Sequence, residues 1–142
     1  DLTGVELISM DLMGANLTGA NLTRANLNRV NLRGADLTNA NLTNANLTNA
    51  ILVKTKFINT NLSHAKLSYA NLNQSEIFNV VLVDAHMNSA KIINSKISNS
   101  DLTKANLYRT NLTGTKLSKV KFEGAVFCKT IMPSGQDNSG CK

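Results

Sequence analysis

The chain has 142 residues, enough for one domain, with 42% hydrophobic and 4% aromatic residues, no Trp and a formal charge of +6. So few aromatics exclude a conventional aromatic-centred core, and a hydrophobic share made mostly of Leu and Ala excludes a disordered chain. No apolar run reaches the roughly 18 residues that a membrane helix needs.

The chain starts at Asp1, without Met and in mid-pattern, and no signal peptide is visible. The expectation is that processing or trimming removed an upstream stretch, an export signal included among the options. From Leu2 onward a large apolar residue recurs at every fifth position: Leu2, Leu7, Leu12 and so on to Leu52, then Phe57, Leu62, through Phe122, Phe127 and Met132. All 27 such positions are large and apolar, with no phase slip. Two residues before each of them, from residue 5 to 130, Ala, Ser or Thr occupies 21 of 26 sites, with Val5, Met10, Val30, Val80 and Val120 as exceptions. Asn or Asp is commonest just before the large residue, as at Asn21, Asn26, Asn31 and Asp36, and Thr or Ser just after it.

A period of five fits neither standard element. On an α-helix it advances about 140° per step, spreading the leucines over all sides. On a flat strand, side chains alternate, so successive leucines face opposite ways. The chain must bend once per repeat so that every large residue points inward. The result is a coil with five-residue sides, whose stacked turns pair their backbone groups and whose small inward residues let the walls approach.

Runs such as Ala20-Asn21-Leu22-Thr23-Arg24 and Ala45-Asn46-Leu47-Thr48-Asn49 resemble the pentapeptide-repeat motif, A-(N/D)-L-x-x, over about residues 1–132. The resemblance is strongest to cyanobacterial and thylakoid-lumen members. It implies an all-β fold, a right-handed quadrilateral β-helix with four pentapeptides per coil, hence about seven coils and a rod of about 30 Å at the spacing of bonded strands. Residues 1–132 are expected to form the solenoid and 133–142 a capping tail, in which Pro133 ends the strand pattern and Ser134, Gly135 and Asp137–Gly140 read as turns. The segment Phe127-Cys128-Lys129-Thr130-Ile131-Met132-Pro133, followed by Gly140-Cys141, is similar to the closing segment of many such proteins. That likeness implies a Cys128–Cys141 bridge over the open end, in an oxidising compartment such as a thylakoid lumen or periplasm. Two free thiols in a cytoplasmic protein are the alternative.

The search for chemistry turns up no catalytic, cofactor or metal constellation, so the reading is not an enzyme and no cofactor or small-molecule substrate is expected. His64 and His86 fall at outward positions on different sides and read as solvated histidines, and no two carboxylates lie 20 residues apart. The Asn-Leu-Thr triplets at Asn16, Asn21, Asn41, Asn46 and Asn111 match glycosylation sequons, which the repeat generates by itself. Two surface features remain. Apolar residues occupy the outward positions Ile51, Val53, Ile58, Phe78, Val81, Val83 and Ile93, a candidate interaction surface. Positive charge gathers late in the chain, and Lys56, Lys96, Lys104, Arg109, Lys116, Lys119 and Lys121 form a candidate basic surface. Aromatic interleaving for base stacking is missing, which disfavours nucleic acid. The leading reading is a rigid scaffold for an unidentified protein partner, with a homodimer through an end or the apolar wall as a further option. The alternative is a DNA mimic that binds and protects DNA gyrase, like the quinolone-resistance members of the family, and the net positive charge opposes it.

Overall fold

The structure, a computed structural model, describes residues 1–142. Its backbone is a right-handed four-sided solenoid in which each residue lies over the one 20 positions earlier. Bridges run from Glu6 to Asn26, from Asn26 to Asn46 and from Asn46 to Lys66, and so on to the pair Asn111–Ile131, all parallel. We name the walls by their inward residues in the third coil: Leu42, Leu47, Leu52 and Phe57.

Most sides repeat the same bonding. The N–H of the large residue donates to the coil above, as from Leu42 to Asn61 O at 2.7 Å. The N–H of the residue before it donates to the coil below, as from Asn41 to Ala20 O at 2.9 Å. The corner is closed by a turn bond such as Ala45 N–H to Leu42 O, 3.0 Å, with a left-handed residue two places after the leucine. Asn, Gly, Lys or Arg stands at most of these corners, and Asn44 has a φ of 59°. Left-handed backbone costs an L-residue roughly 1–2 kcal/mol, so the stacking bonds must hold each corner in place.

The outward preference for Asn-Leu-Thr now has a cause. The Asn41 side-chain oxygen accepts both the Thr43 N–H at 3.1 Å and the Thr43 hydroxyl at 2.6 Å. The Asn21 and Thr23 pair, and the Asn111 and Thr113 pair, do the same. An Asx turn thus fixes the bend that the period of five demands.

Every large inward residue from Leu22 to Leu112 is buried, while Leu2, Leu7, Leu12 and Leu17 at one end and Leu117, Phe122, Phe127 and Met132 at the other are half-buried. Where the small inward residue is Thr or Ser, its hydroxyl donates to a main-chain carbonyl. Thr60 reaches Leu37 O at 2.8 Å, and Thr110 reaches Met87 O at 2.7 Å. No buried side-chain nitrogen or oxygen lacks a partner, so these hydroxyls sit inside without a desolvation penalty.

The four strands long enough to form a regular sheet all lie on the Phe57 wall: β1 (Lys56–Ile58), β2 (Glu76–Phe78), β3 (Lys96–Ser98) and β4 (Lys116–Ser118), parallel and in that order. The tail departs from the run of turns expected of it. β5 (Thr130–Met132) turns at Pro133-Ser134 and pairs antiparallel with β6 (Gly135–Asp137), Met132 opposite Gly135. Gly135, at a φ of 129°, supplies backbone that a side-chain-bearing residue rarely adopts, and lets the chain fold back where a simple stop was expected. The end then runs over the last coil. Gly140 N–H donates to Phe127 O at 2.6 Å, Lys129 N–H donates to Asn138 Oδ1 at 2.9 Å, and Cys128 is disulfide-bonded to Cys141. Beneath it the Phe122 and Phe127 rings meet edge-on, 5.3 Å apart, and fill the mouth of the interior.

Candidate interaction surface

From Phe57 onward the Phe57 wall differs from the other three in that all its corners open; on the Leu52 wall the Ile92 corner alone does so, where Ser95 N–H donates to Thr115 Oγ1 at 3.2 Å. Earlier on the Phe57 wall, Ala40 N–H gives the usual turn bond to Leu37 O at 3.0 Å, but no such bond follows Phe57, Ile77, Ile97 or Leu117. Hydroxyls replace part of the loss: Val80 N–H donates to Ser100 Oγ at 3.1 Å, and Ser100 Oγ donates to Ser98 O at 2.9 Å. With the turn opened, the side straightens into a strand, and the wall becomes a flat parallel sheet.

Two outward columns cover this sheet. One runs Lys56, Glu76, Lys96, Lys116, and the other runs Ile58, Phe78, Ser98, Ser118. Between them lies a groove of about 270 Å³ lined by Ile58, Glu76, Ile77, Phe78, Lys96 and Ser98. The corner beyond is an asparagine ladder: Asn79 donates to Asn59 Oδ1 at 2.8 Å, and Asn59 to Asn39 Oδ1 at 3.1 Å. Around that corner, on the Leu42 wall, a second groove of about 320 Å³ is lined by Asn79, Val80, Val81, Asn99, Ser100, Asp101, Lys119 and Lys121. Phe78 and Val81 flank the corner and are 45% and 39% exposed. A single exposed phenylalanine is ordinary, but Phe78 stacks on Ile58 and lies three residues from exposed Val81, which makes a cluster.

The apolar residues singled out in the sequence therefore divide. Ile58 and Phe78 stack as partners in β1 and β2, and Val81, with half-buried Val83, continues the patch around the corner. Ile51, Val53 and Ile93 stand apart on the Leu52 wall. Ile51 is bridged to Asn31 and Asn71, and Ile93 N–H is held by Asn73 Oδ1 at 2.9 Å, so polar residues separate them. The basic residues divide too. Lys56, Lys96, Lys116 and Lys119 belong to the Phe57 wall, and Lys104 and Lys121 to the Leu42 wall. Arg109 lies on the Leu47 wall, its guanidinium 5.2 Å from the centre of the Tyr108 ring.

The local charges are fixed by hydrogen bonds. The hydroxyl and N–H of Thr103 hold the Asp101 carboxyl below its usual range, and Lys121 lies 4.0 Å away. Thr38 does the same for Asp36. His64 has a neighbour that the 20-residue stacking gives and the reading of it as a solvated histidine overlooked: Asp84, one coil on, lies 3.9 Å from Nδ1 with both side chains open to solvent. Other exposed residues passed over in the sequence are Tyr69, at 61%, and Ile8, Met10 and Met13 in the first coil. Their large side chains at outward or first-coil positions were the available signal.

A family model for pentapeptide repeats matches residues 1–39, 40–82 and 105–132. None of the curated proteins compared with the chain matches it. Solved structures do. HetL, a pentapeptide repeat protein involved in heterocyst differentiation regulation from the cyanobacterium Nostoc sp. strain PCC 7120, is 26% identical with a TM-score of 0.51, covering 95% of this chain and 69% of that one. A pentapeptide repeat protein of the Arabidopsis thaliana thylakoid lumen is 25% identical with a TM-score of 0.48, covering 71% of this chain and 67% of that one. QnrB1, a plasmid-mediated fluoroquinolone resistance protein, is 18% identical with a TM-score of 0.41, covering 84% of this chain and 68% of that one. An unbroken five-residue period, the stacked four-sided coils and the matching family model agree: the chain belongs to the pentapeptide repeat family.

Proposed function

We propose that the chain is a non-enzymatic scaffold that binds a protein partner through the corner between the Phe57 and Leu42 walls. The observation that carries this reading is the apolar patch of Ile58, Phe78 and Val81. It lies beside two grooves on a surface otherwise covered by Asn, Thr and Lys. The outward Asn and Thr side chains of this solenoid hold its turns by hydrogen bonds, which an outward apolar side chain cannot do, so an apolar cluster there is free to serve binding. Stacked hydrogen bonds fix the wall beneath, and a preorganised surface loses little entropy on binding. The lysines on this corner oppose the gyrase-protecting alternative, because a DNA mimic must present negative walls.

The test is a photo-crosslinking residue placed at position 78 in the source cells, with position 48 on the Leu47 wall as control. The expected outcome is a protein captured from 78 and not from 48, whose complex with the chain, rebuilt from purified components, is lost in a Phe78→Ser/Val81→Ser variant. Equal capture from both positions, or a rebuilt complex indifferent to that variant, contradicts the reading.

A further inference from the structure

We infer that this corner recognises an extended acidic segment carrying one bulky apolar side chain. The inference rests on the scaffold reading and adds the chemistry of its partner. The apolar anchor follows from the grooves. The groove on the Phe57 wall is lined by Ile58, Ile77 and Phe78 and suits a single apolar side chain of a strand lying across the coils, whereas the groove beside Val81 is lined mostly by polar and charged residues.

The acidic character follows from charge that the chain leaves unanswered. Its two ion pairs are His64–Asp84 and Lys121–Asp101, so Lys96, Lys116 and Lys119 have no carboxylate within 4.0 Å. Lys96 and Lys116 are register partners in β3 and β4, so their Cα atoms lie about 4.8 Å apart along the rod, with Glu76 stacked on the other side of Lys96 and no carboxylate stacked beyond Lys116. Lys119 follows at the end of that side, next to the groove that also holds Lys121. Carboxylates spaced along an extended chain would pair with these lysines while an apolar neighbour enters the groove. The same lysines argue against a second copy. A two-fold contact centred here sets each lysine cluster against its own image. At the Phe78 groove, which lies over β2 and β3 inside the sheet, the backbone groups are paired with the coils on both sides, so recognition there comes from side chains; the one open edge of the sheet is β4.

The test uses the full chain and fluorescein-labelled 12-residue peptides measured by anisotropy. The probes are an acidic peptide with one central Phe, its Phe→Ser form, and a form with every carboxylate replaced by Lys. Expected are measurable binding of the first, at least about tenfold weaker binding of the other two, and loss of affinity as salt rises. Lys96→Glu/Lys116→Glu/Lys119→Glu should weaken the first peptide by about tenfold or more, and Phe78→Ser/Val81→Ser likewise. Both variants are checked for parental melting, because their changes face solvent. Lys104→Glu/Arg109→Glu, which alters charge away from the corner, should bind as the parent does.

Indifference of the acidic peptide to either corner variant overturns the inference. So does equally tight binding of the Phe→Ser peptide, which would mean a general polyanion surface. Binding to phosphatidylserine vesicles in the absence of peptide binding overturns it in favour of a membrane. If position 78 captures a protein that these peptides do not mimic, the partner chemistry is wrong and the scaffold reading stands. If the peptides bind and position 78 captures nothing, the scaffold reading fails alone.

Discussion

Residues 21–55 and residues 56–118 are built on the same repeat and bury their large inward residues equally well as far as Leu112, with Leu117 half-buried. They differ in the small inward residue and in what they show to solvent. In the earlier stretch that residue is mostly Ala, every side closes with a turn bond, and the outer surface is largely Asn and Thr. In the later stretch Thr60, Ser75, Ser95, Ser100, Thr110 and Thr115 enter the interior, the turns of one wall open, and Phe78, Val81 and lysines appear outside. The interior column carries the fold. Outer positions that take no part in the Asn-Thr turn bonds, such as those of Ile58, Phe78 and Val81, can change without disturbing it, which frees them for binding.

The largest expected effect breaks what the two regions share. Leu62→Lys places a charge in the fully buried column at their junction, where no partner is available to neutralise it. The expected outcome is loss of the native circular dichroism spectrum and of any cooperative melt. Next comes the end of the later region. The Cys128–Cys141 bond closes a 13-residue separation, and its removal by Cys128→Ser/Cys141→Ser should cost about 3 kcal/mol on the chain-entropy account. A lower melting temperature, with faster hydrogen exchange first in residues 122–132, is the readout. An unchanged melt would mean that the hairpin and the Phe122–Phe127 contact close the rod without it.

Smaller effects sharpen the contrast between Ala-lined and hydroxyl-lined corners. Thr110→Val removes the bond to Met87 O and should cost about 1 kcal/mol in a denaturant titration. The smallest effect is electrostatic. Asp36 and Asp101 have carboxyls held below the ordinary aspartate value by the hydroxyl and N–H of Thr38 and Thr103. Their contribution is therefore present above that value and is lost as pH falls through the depressed folded pKa. Asn forms the same turn elsewhere in the rod, so Asp36→Asn/Asp101→Asn should fold normally and, in denaturant titrations at falling pH, lose less stability than the parent below about pH 4.

The period of five made the inward column legible before any coordinates, because no other backbone path buries all 27 large residues. Stacking 20 residues apart also followed, and with it the pairing of Ile58 with Phe78 and the Lys56–Glu76–Lys96–Lys116 column. The opened turns were not legible. Thr110 and Thr115 flank the Leu112 side, yet Thr115 N–H still bonds Leu112 O at 3.0 Å, so flanking residues alone do not decide whether a corner opens. The hairpin was missed because Pro133 reads as a stop, whereas it sits in the turn between two short strands. The candidate surface was half legible. Its residues were visible as apolar outward positions, but which of them meet depends on the corner that Phe78 and Val81 share and on the asparagines that isolate Ile51, Val53 and Ile93.

Thermal melts of Ile77→Ala and Phe78→Ala test the central division between interior and exterior on neighbouring residues of one strand. Ile77 is 2% exposed and Phe78 is 45% exposed. The account predicts a loss of about 2–5 kcal/mol for Ile77→Ala and a change within about 0.5 kcal/mol for Phe78→Ala. Comparable losses in both would mean that Phe78 is held for stability, and the binding role given to this corner would have no support.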